Sequence, residues 1–257
     1  MYKKEMETAC RAALEAGRII KGFYGNLEEI RKKGERDLVT EADLMSEKAV
    51  VAAITKNFPD DAIIAEEGGE QGKRSERKWI IDPLDGTTNF AHSFPFFAVS
   101  IGFMVKEEVV AGVVYNPVMD EFFEAEKGKG AFLNKKPINV SATANIRDAL
   151  VATGFPYDID KKSDEIISRL KRIIVEVQGL RRAGAASIDL CYVANGSLDG
   201  FWEQDLKPWD TAAGSIILTE AGGKVSDFRG NSFNPWLNSI IATNGLIHKE
   251  MVGLLSK

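Results

Sequence analysis

Apolar residues recur at helical spacing through Met6, Ala9, Cys10, Ala13, Gly17, Ile20 and Tyr24, which predicts an amphipathic helix over residues 3–24. Ala42, Met45, Ala49 and Ala53 repeat the signal and predict a second helix over residues 41–57. The charged, glycine-containing stretch from Arg31 to Asp37 between them reads as a solvated connection. The short apolar runs at residues 62–65 and 79–81 read as buried strands, and Pro83 is expected to end regular pairing in the second. Residues 96–105 and 109–115 predict a hairpin around Lys106-Glu107-Glu108, followed by a strand over 120–126.

The second half alternates strand and helix. Strands are predicted near 150–153, 179–182, 198–203 and 239–243, and helices near 163–177, 185–194 and 211–221 and at the C-terminus. There is no internal repeat, low-complexity tract or long linker. The pattern predicts an α/β protein of one domain over residues 1–257. An N-terminal α+β half would run to about residue 145 and a C-terminal α/β half from about 146, joined at the small polar run 141–145.

Composition narrows the class. A chain of 257 residues can bury a substantial core, and 44% hydrophobic with 28% charged residues is ordinary for a globular protein. The net charge of −5 argues against a nucleic-acid scaffold, which needs a basic stripe; Arg181-Arg182 is a local exception. The first seven residues lack the apolar core of a signal peptide, and no apolar run is long enough to span a membrane, so a cytoplasmic location is expected. The two cysteines, Cys10 and Cys191, fall on predicted helices and read as reduced, buried thiols.

The chemistry concentrates in the run from Trp79 to Phe90. Asp82 and Asp85 stand three residues apart where an apolar strand gives way to Gly86-Thr87-Thr88, the strand-end position at which open α/β sheets place ligands. Two carboxylates with the Leu84 carbonyl between them form a hard donor set suited to Mg²⁺. The Gly86 and Thr87 amides at a helix start offer an anion cradle. Asp-Pro and Asp-Gly are also ordinary turn formers, so the run alone decides nothing. Glu66-Glu67-Gly68-Gly69 follows another strand, though in isolation it reads as a solvated loop. Asp210 opens an apolar helical pattern, where its plain role is an N-cap. Lys127-Gly128-Lys129-Gly130 imitates a phosphate loop but lacks the Walker spacing, and reads as a turn.

Taken together, Glu66-Glu67, the Asp82–Asn89 segment, Trp209-Asp210-Thr211-Ala212-Ala213-Gly214 and Glu220-Ala221-Gly222-Gly223 resemble the inositol monophosphatase family. That family lies within the Mg²⁺-dependent, lithium-sensitive phosphatases, and the similarity runs nearly end to end. The resemblance implies a layered αβαβα sandwich of the inositol monophosphatase and fructose-1,6-bisphosphatase type. Two or three Mg²⁺ per site would be held by Glu66, Asp82, the Leu84 carbonyl, Asp85 and Asp210. Glu66 and the Thr87 hydroxyl would orient and activate water, with Asp43 hydrogen-bonding Thr87, although Asp43 alone reads as an exposed helix acid. Gly86 and Thr87 would cradle the phosphate. Glu203, Asp85 and the Ala186 amide would meet substrate hydroxyls, and Lys32 aligns with a metal-retaining lysine of the family's mobile loop.

The implied activity is hydrolysis of inositol 1-phosphate and related polyol phosphates by a homodimer, with no membrane partner. Fructose 1,6-bisphosphate is the rival substrate, with Arg172, Arg181 or Arg182 as candidate partners for its second phosphate. Gly184-Ala185-Ala186-Ser187 lacks the hydroxyl that the family carries at position 185, which loosens the expectation of strict inositol specificity. A regulatory role in a transcription complex, as some bacterial relatives play, is the alternative of a different class.

Overall fold

The computed structural model describes residues 1–26, 30–32 and 38–256, the side chains of Ile30 and Lys32 excepted. The first apolar stripe folds as α1 (Lys3–Phe23), which buries Ala9, Ala12, Ala13, Ala16 and Ile20 along one face. Arg31 and Lys32, the start of the segment read as a solvated connection, fall in β1 (Ile30–Lys32), which pairs with β2 (Leu38–Thr40) in antiparallel register, and residues 33–37 lie outside the described residues. Backbone pairing there does not need an apolar stripe, so periodicity missed it. Then follow α2 (Glu41–Asn57), β3 (Ala62–Ala65), β4 (Gly69–Gln71), β5 (Arg77–Asp85) and the short α3 (Thr87–Ala91). The chain continues through β6 (Ala98–Val105), β7 (Glu108–Asn116), β8 (Glu121–Glu126), β9 (Ala131–Leu133) and β10 (Lys136–Ile138).

The second half runs β11 (Leu150–Thr153), α4 (Ile159–Ile174), β12 (Gly179–Arg181), α5 (Ala186–Ala194), β13 (Gly200–Gln204) and α6 (Pro208–Glu220). It closes with β14 (Lys224–Ser226), β15 (Ser239–Thr243) and α7 (His248–Leu255). Helix α4 starts before the predicted Ser163 because Asp158, Ile159 and Asp160 already form its first turn, with Asp160 favourably placed at the positive end. The unpredicted β4, β9, β10 and β14 are three residues each, too short to show an alternation.

The strands form an eight-stranded sheet in the order β10-β9-β8-β7-β6-β5-β3-β4 and a five-stranded sheet in the order β12-β11-β13-β15-β14. Helices α1 and α2 cover one face of the large sheet. Helices α5 and α6 lie between the two sheets, and α7 with α4 covers the far face of the small one. The result is an αβαβα sandwich, in which α6 from the C-terminal half seats directly on β5, β6 and β7 of the N-terminal half. Among the described residues, no helix is long and apolar enough to cross a membrane. Cys191 is buried on α5, Cys10 is half-buried on α1, and both thiols are free.

Candidate active site

A regular strand sends residues i and i+3 to opposite faces, so Asp82 and Asp85 should not meet. The pairing with β6 resolves this. Asp82 stands opposite Ser100 and Asp85 opposite Ala98, which leaves two residues of β5 facing one of β6. This β-bulge falls at Pro83, which has no N–H to give the ladder. One extra residue returns Asp85 to the face it shares with Asp82, towards the α5 and α6 layer, while Leu84 turns into the core beneath α1 and α2. The expected loss of regular pairing at Pro83 is thus a bulge, and the strand runs on to Asp85.

Each carboxylate is then fixed by short local bonds. Asp82 Oδ1 accepts from the Leu84 amide at 2.9 Å. Asp85 Oδ2 accepts from the Ser187 amide at 2.7 Å and its hydroxyl at 2.6 Å, which docks the first turn of α5 onto the site. Asp210 is not the N-cap of α6. Pro208 at N1 starts the helix earlier, Lys207 is the cap, and Asp210 at N3 accepts from the Lys207 amide at 2.6 Å. Glu66 follows β3, with its amide donating to the Ile81 carbonyl at 3.1 Å, so it stands beside Asp82.

Asp43 is fully buried on α2, contrary to its reading as an exposed helix acid. Its side chain shares one inward stripe with Ser46 and Glu47. Asp43 Oδ2 accepts from the Thr40 amide at 2.8 Å and the Thr40 hydroxyl at 2.5 Å, and Oδ1 lies 3.0 Å from Thr87 Oγ1. The Leu84 carbonyl lies equally close to Thr87 Oγ1, so that hydroxyl has two competing acceptors for one proton. Gly86 carries φ of +92° before α3, and a Cβ there would crowd the Phe96 carbonyl at 3.0 Å, so the turn requires glycine.

Glu203 ends the inward face of β13 and is buried; a Cβ on Gly154 would collide with its carboxylate, so that glycine makes the room it occupies. Arg182 stacks on Phe155 with its guanidinium 5.6 Å from the ring centroid, and its charge reaches both Glu203 and Asp189.

These acids share one electrostatic condition. Burial first, then repulsion from Glu66, Asp85 and Asp210, pushes Asp82 well above the ordinary carboxylate range. Burial and the Asp85 charge do the same to Asp210. Burial also raises Asp43 and Asp85 to about 6, against the hydrogen bonds that pull them down. Glu203 is raised by burial and by Asp210. Such a gathering is what a cation would relieve. The donors are all oxygen, and one oxygen of Asp82 and one of Asp210 make no hydrogen bond among the described residues, so the set fits a hard divalent ion. Among the described residues no three His, Cys, Asp or Glu side chains close into a metal cage. Asp85 and Asp210 accept from the amides of Ser187 and Lys207.

The remaining sequence candidates lie on other elements. Arg172 on α4 donates through Nε to the Leu254 carbonyl at 2.8 Å and through Nη1 to Ser168 at 2.9 Å, which ties α4 to α7. Arg181 is exposed on the edge strand β12, with Nη1 on the Leu180 carbonyl. Lys32 belongs to β1, and its side chain lies outside the described residues. The Lys127–Gly130 turn is filled from within, since the Glu220 carboxylate accepts from the Gly128, Lys129 and Gly130 amides.

Several positioning residues were given no role by the sequence. Ser187 supplies a hydroxyl two residues beyond the one missing at Ala185. Glu47 holds the Glu67 amide at 2.9 Å, and Asn89 bridges the Phe96 and Ala183 carbonyls. The only sequence signal for Glu47 was a polar residue on an inward helical stripe.

The inositol monophosphatase family model matches residues 1–257. An inositol-1-monophosphatase of Synechocystis sp. is 46% identical over 96% of this chain and 86% of its own. A protein named Nus factor SuhB from Haemophilus influenzae is 43% identical over 96% and 94%. The crystal structure of extragenic suppressor protein suhB from Bartonella henselae superposes with a TM-score of 0.94 at 41% identity, covering 99% of each chain. By its whole length, its five layers and its carboxylate-bearing bulge, the chain belongs to the inositol monophosphatase family.

Proposed function

We propose that this chain is a Mg²⁺-dependent phosphomonoesterase that hydrolyses inositol 1-phosphate, with related polyol and sugar phosphates, to the free alcohol and inorganic phosphate. One observation carries the reading: Glu66, Asp82, Asp85 and Asp210 come from three segments into one neighbourhood where their charges repel. A fold does not maintain that arrangement for stability alone. Glu66, Asp82, the Leu84 carbonyl, Asp85 and Asp210 would hold two or three Mg²⁺. The bound ions supply an activated water and neutralise charge on the leaving oxygen.

The chain's own residues do the rest. Thr40 fixes Asp43, and Asp43 fixes the Thr87 hydroxyl, so that the Thr87 lone pairs and Glu66 orient the attacking water. The Gly86 and Thr87 amides receive the phosphate oxygens. Glu203, Asp85 and the Ala186 amide read the hydroxyls of the alcohol. For fructose 1,6-bisphosphate, Arg182 is the partner for the second phosphate, since its charge already reaches Glu203 at the alcohol end. Cytoplasmic location, homodimer assembly and inhibition by lithium complete the reading.

Initial rates of phosphate release with Mg²⁺ test it, comparing inositol 1-phosphate with fructose 1,6-bisphosphate and using Asp210→Asn as the blank. Preference for the inositol ester, abolished in the blank, is expected. Release from neither ester would overturn the reading. The likeness to a protein named Nus factor SuhB supports a second one, binding within a transcription complex. Asp210→Asn would then still bind purified transcription factors or RNA, and failure to bind either would remove it.

A further inference from the structure

Successive residues of a strand face opposite sides, so where Glu203 points into the candidate site, Gln204 points out of it, towards α4. A cavity of about 360 Å³ opens there, between α4, the turn after β14 and the start of β15.

Its three carboxylates are already engaged. Asp227 accepts from the Arg229 and Asn231 amides and the Asn231 side chain, each at 2.8 Å. Asp205 Oδ2 accepts from Lys162 at 2.9 Å and Gln204 at 3.2 Å. Glu165 Oε1 accepts from Arg169 Nη1 at 2.5 Å, and the same Nη1 reaches Gln204 Oε1 at 2.5 Å.

The donors are left in surplus. The Arg169 side chain is only 17% exposed and lies over the Phe228 ring at 5.0 Å. Its Nε is buried with no acceptor, one of two such side-chain donors among the described residues. A second, Trp202 Nε1, belongs to a ring packed against the same Phe228 at 6.3 Å. Across the cavity, the exposed Arg229 makes no side-chain hydrogen bond or close ion pair among the described residues, its charge acting on Asp227 from a distance. A buried cation whose donors are not all met carries a cost that an anion would repay. The rest of the wall, from Asn231, Asn238 and Ser239, is amide and hydroxyl, which suits hydroxyl groups rather than apolar bulk.

We propose that this cavity binds a small hydroxylated organic anion, with a phosphate or carboxylate held between Arg169 and Arg229 and hydroxyls against Asn238 and Ser239. The site stands apart from the carboxylate cluster and does not depend on the phosphatase reading. Its occupant would compete with Gln204 for Arg169, one residue from Glu203.

Isothermal titration calorimetry on the full chain without Mg²⁺ tests it. Under that condition the acidic site repels anions and no turnover occurs. The probes are glycerol 2-phosphate, gluconate and, as the uncharged control, glycerol. Either anion should bind and glycerol should not; which anion binds distinguishes a phosphate ester from a carboxylate ligand. Loss of one charge-assisted pair predicts at least about tenfold weaker binding in Arg229→Ala. Arg169→Met, which keeps the stem over Phe228, should weaken binding similarly, and Glu203→Gln should leave it unchanged. Absence of binding by both anions, affinity unchanged in Arg229→Ala, or affinity lost in Glu203→Gln would overturn the proposal.

Discussion

Two groups of buried acids, both resting on β5, are built on opposite rules. At the start of the strand, Arg77 donates to Asp61 at 2.7 Å and to Glu5 at 2.9 Å, and Trp79 donates to Asp61 at 3.0 Å. The guanidinium lies between the rings of Phe103 and Phe58, at 4.8 and 5.5 Å. Every charge there has its partner. At the other end of the same strand, Asp82 and Asp85 share their space with Glu66 and Asp210, and their pKa values climb. The first cluster holds helix α1 to the sheet. The second costs the fold stability, which marks it as the part kept for chemistry.

Substitution should separate the two. The largest effect is expected for Asp210→Asn, which should reduce kcat for phosphate release by about a thousandfold, a loss of order 4 kcal/mol in the barrier. The fold should be unharmed, and circular dichroism with kinetics checks both. Next, Asp61→Ala should destabilise the chain by about 3 kcal/mol, since it strands Arg77 and the Trp79 N–H. Urea unfolding reads that loss. Asp82→Asn should do the reverse without metal, raising the unfolding free energy by about 1 kcal/mol and with it the midpoint, because it removes one repelling charge. A lower midpoint would mean that the two clusters do not differ as described.

The pH response sharpens the contrast. Asp43 and Asp85 are raised to about 6, above their unfolded value, so the folded chain holds more protons than the unfolded one between about pH 4 and 6. Their contribution is complete below that window and lost as pH rises through 6. The metal-free protein should therefore gain stability on acidification from pH 7 to 5, and Mg²⁺ should flatten that slope. One group opposes them. His248 is buried between Thr243 and Ser226, and burial lowers it to about 4. Its contribution is lost as pH falls from 6.5 towards 4. Of the same size as the Asp82→Asn effect and opposite in sign, Glu220→Ala should cost about 1 kcal/mol by freeing three amides of the Lys127–Gly130 turn.

Much of this was legible in the residues. The apolar stripes of α1 and α2 predicted both helices to within a residue, because each stripe meets a sheet and little else competes. The acidic motifs that meet at the candidate site were legible because carboxylates at strand ends have few structural uses. Burial of polar groups was not. Asp43 and Glu47 lie on an inward helical stripe, and only the tertiary contacts with Thr87 and Glu67 explain why polar residues stand there. The bond from Arg172 to α7 was hidden for the complementary reason: a lone arginine on a helix gives no sign that a carbonyl of α7 waits for it.

The bulge at Pro83 also bears on how this sequence can change. In most of the strand a residue type can vary while its side keeps its character. Between Asp82 and Asp85 the count itself is the information. Inserting one residue after Pro83 would leave every carboxylate in the gene, yet with the single bulge kept it would turn Asp85 to the other face, beneath α1 and α2, into the cluster of Leu84, Phe90 and Val99. The segment therefore behaves like a reading frame for side chains, tolerant of spelling but not of length.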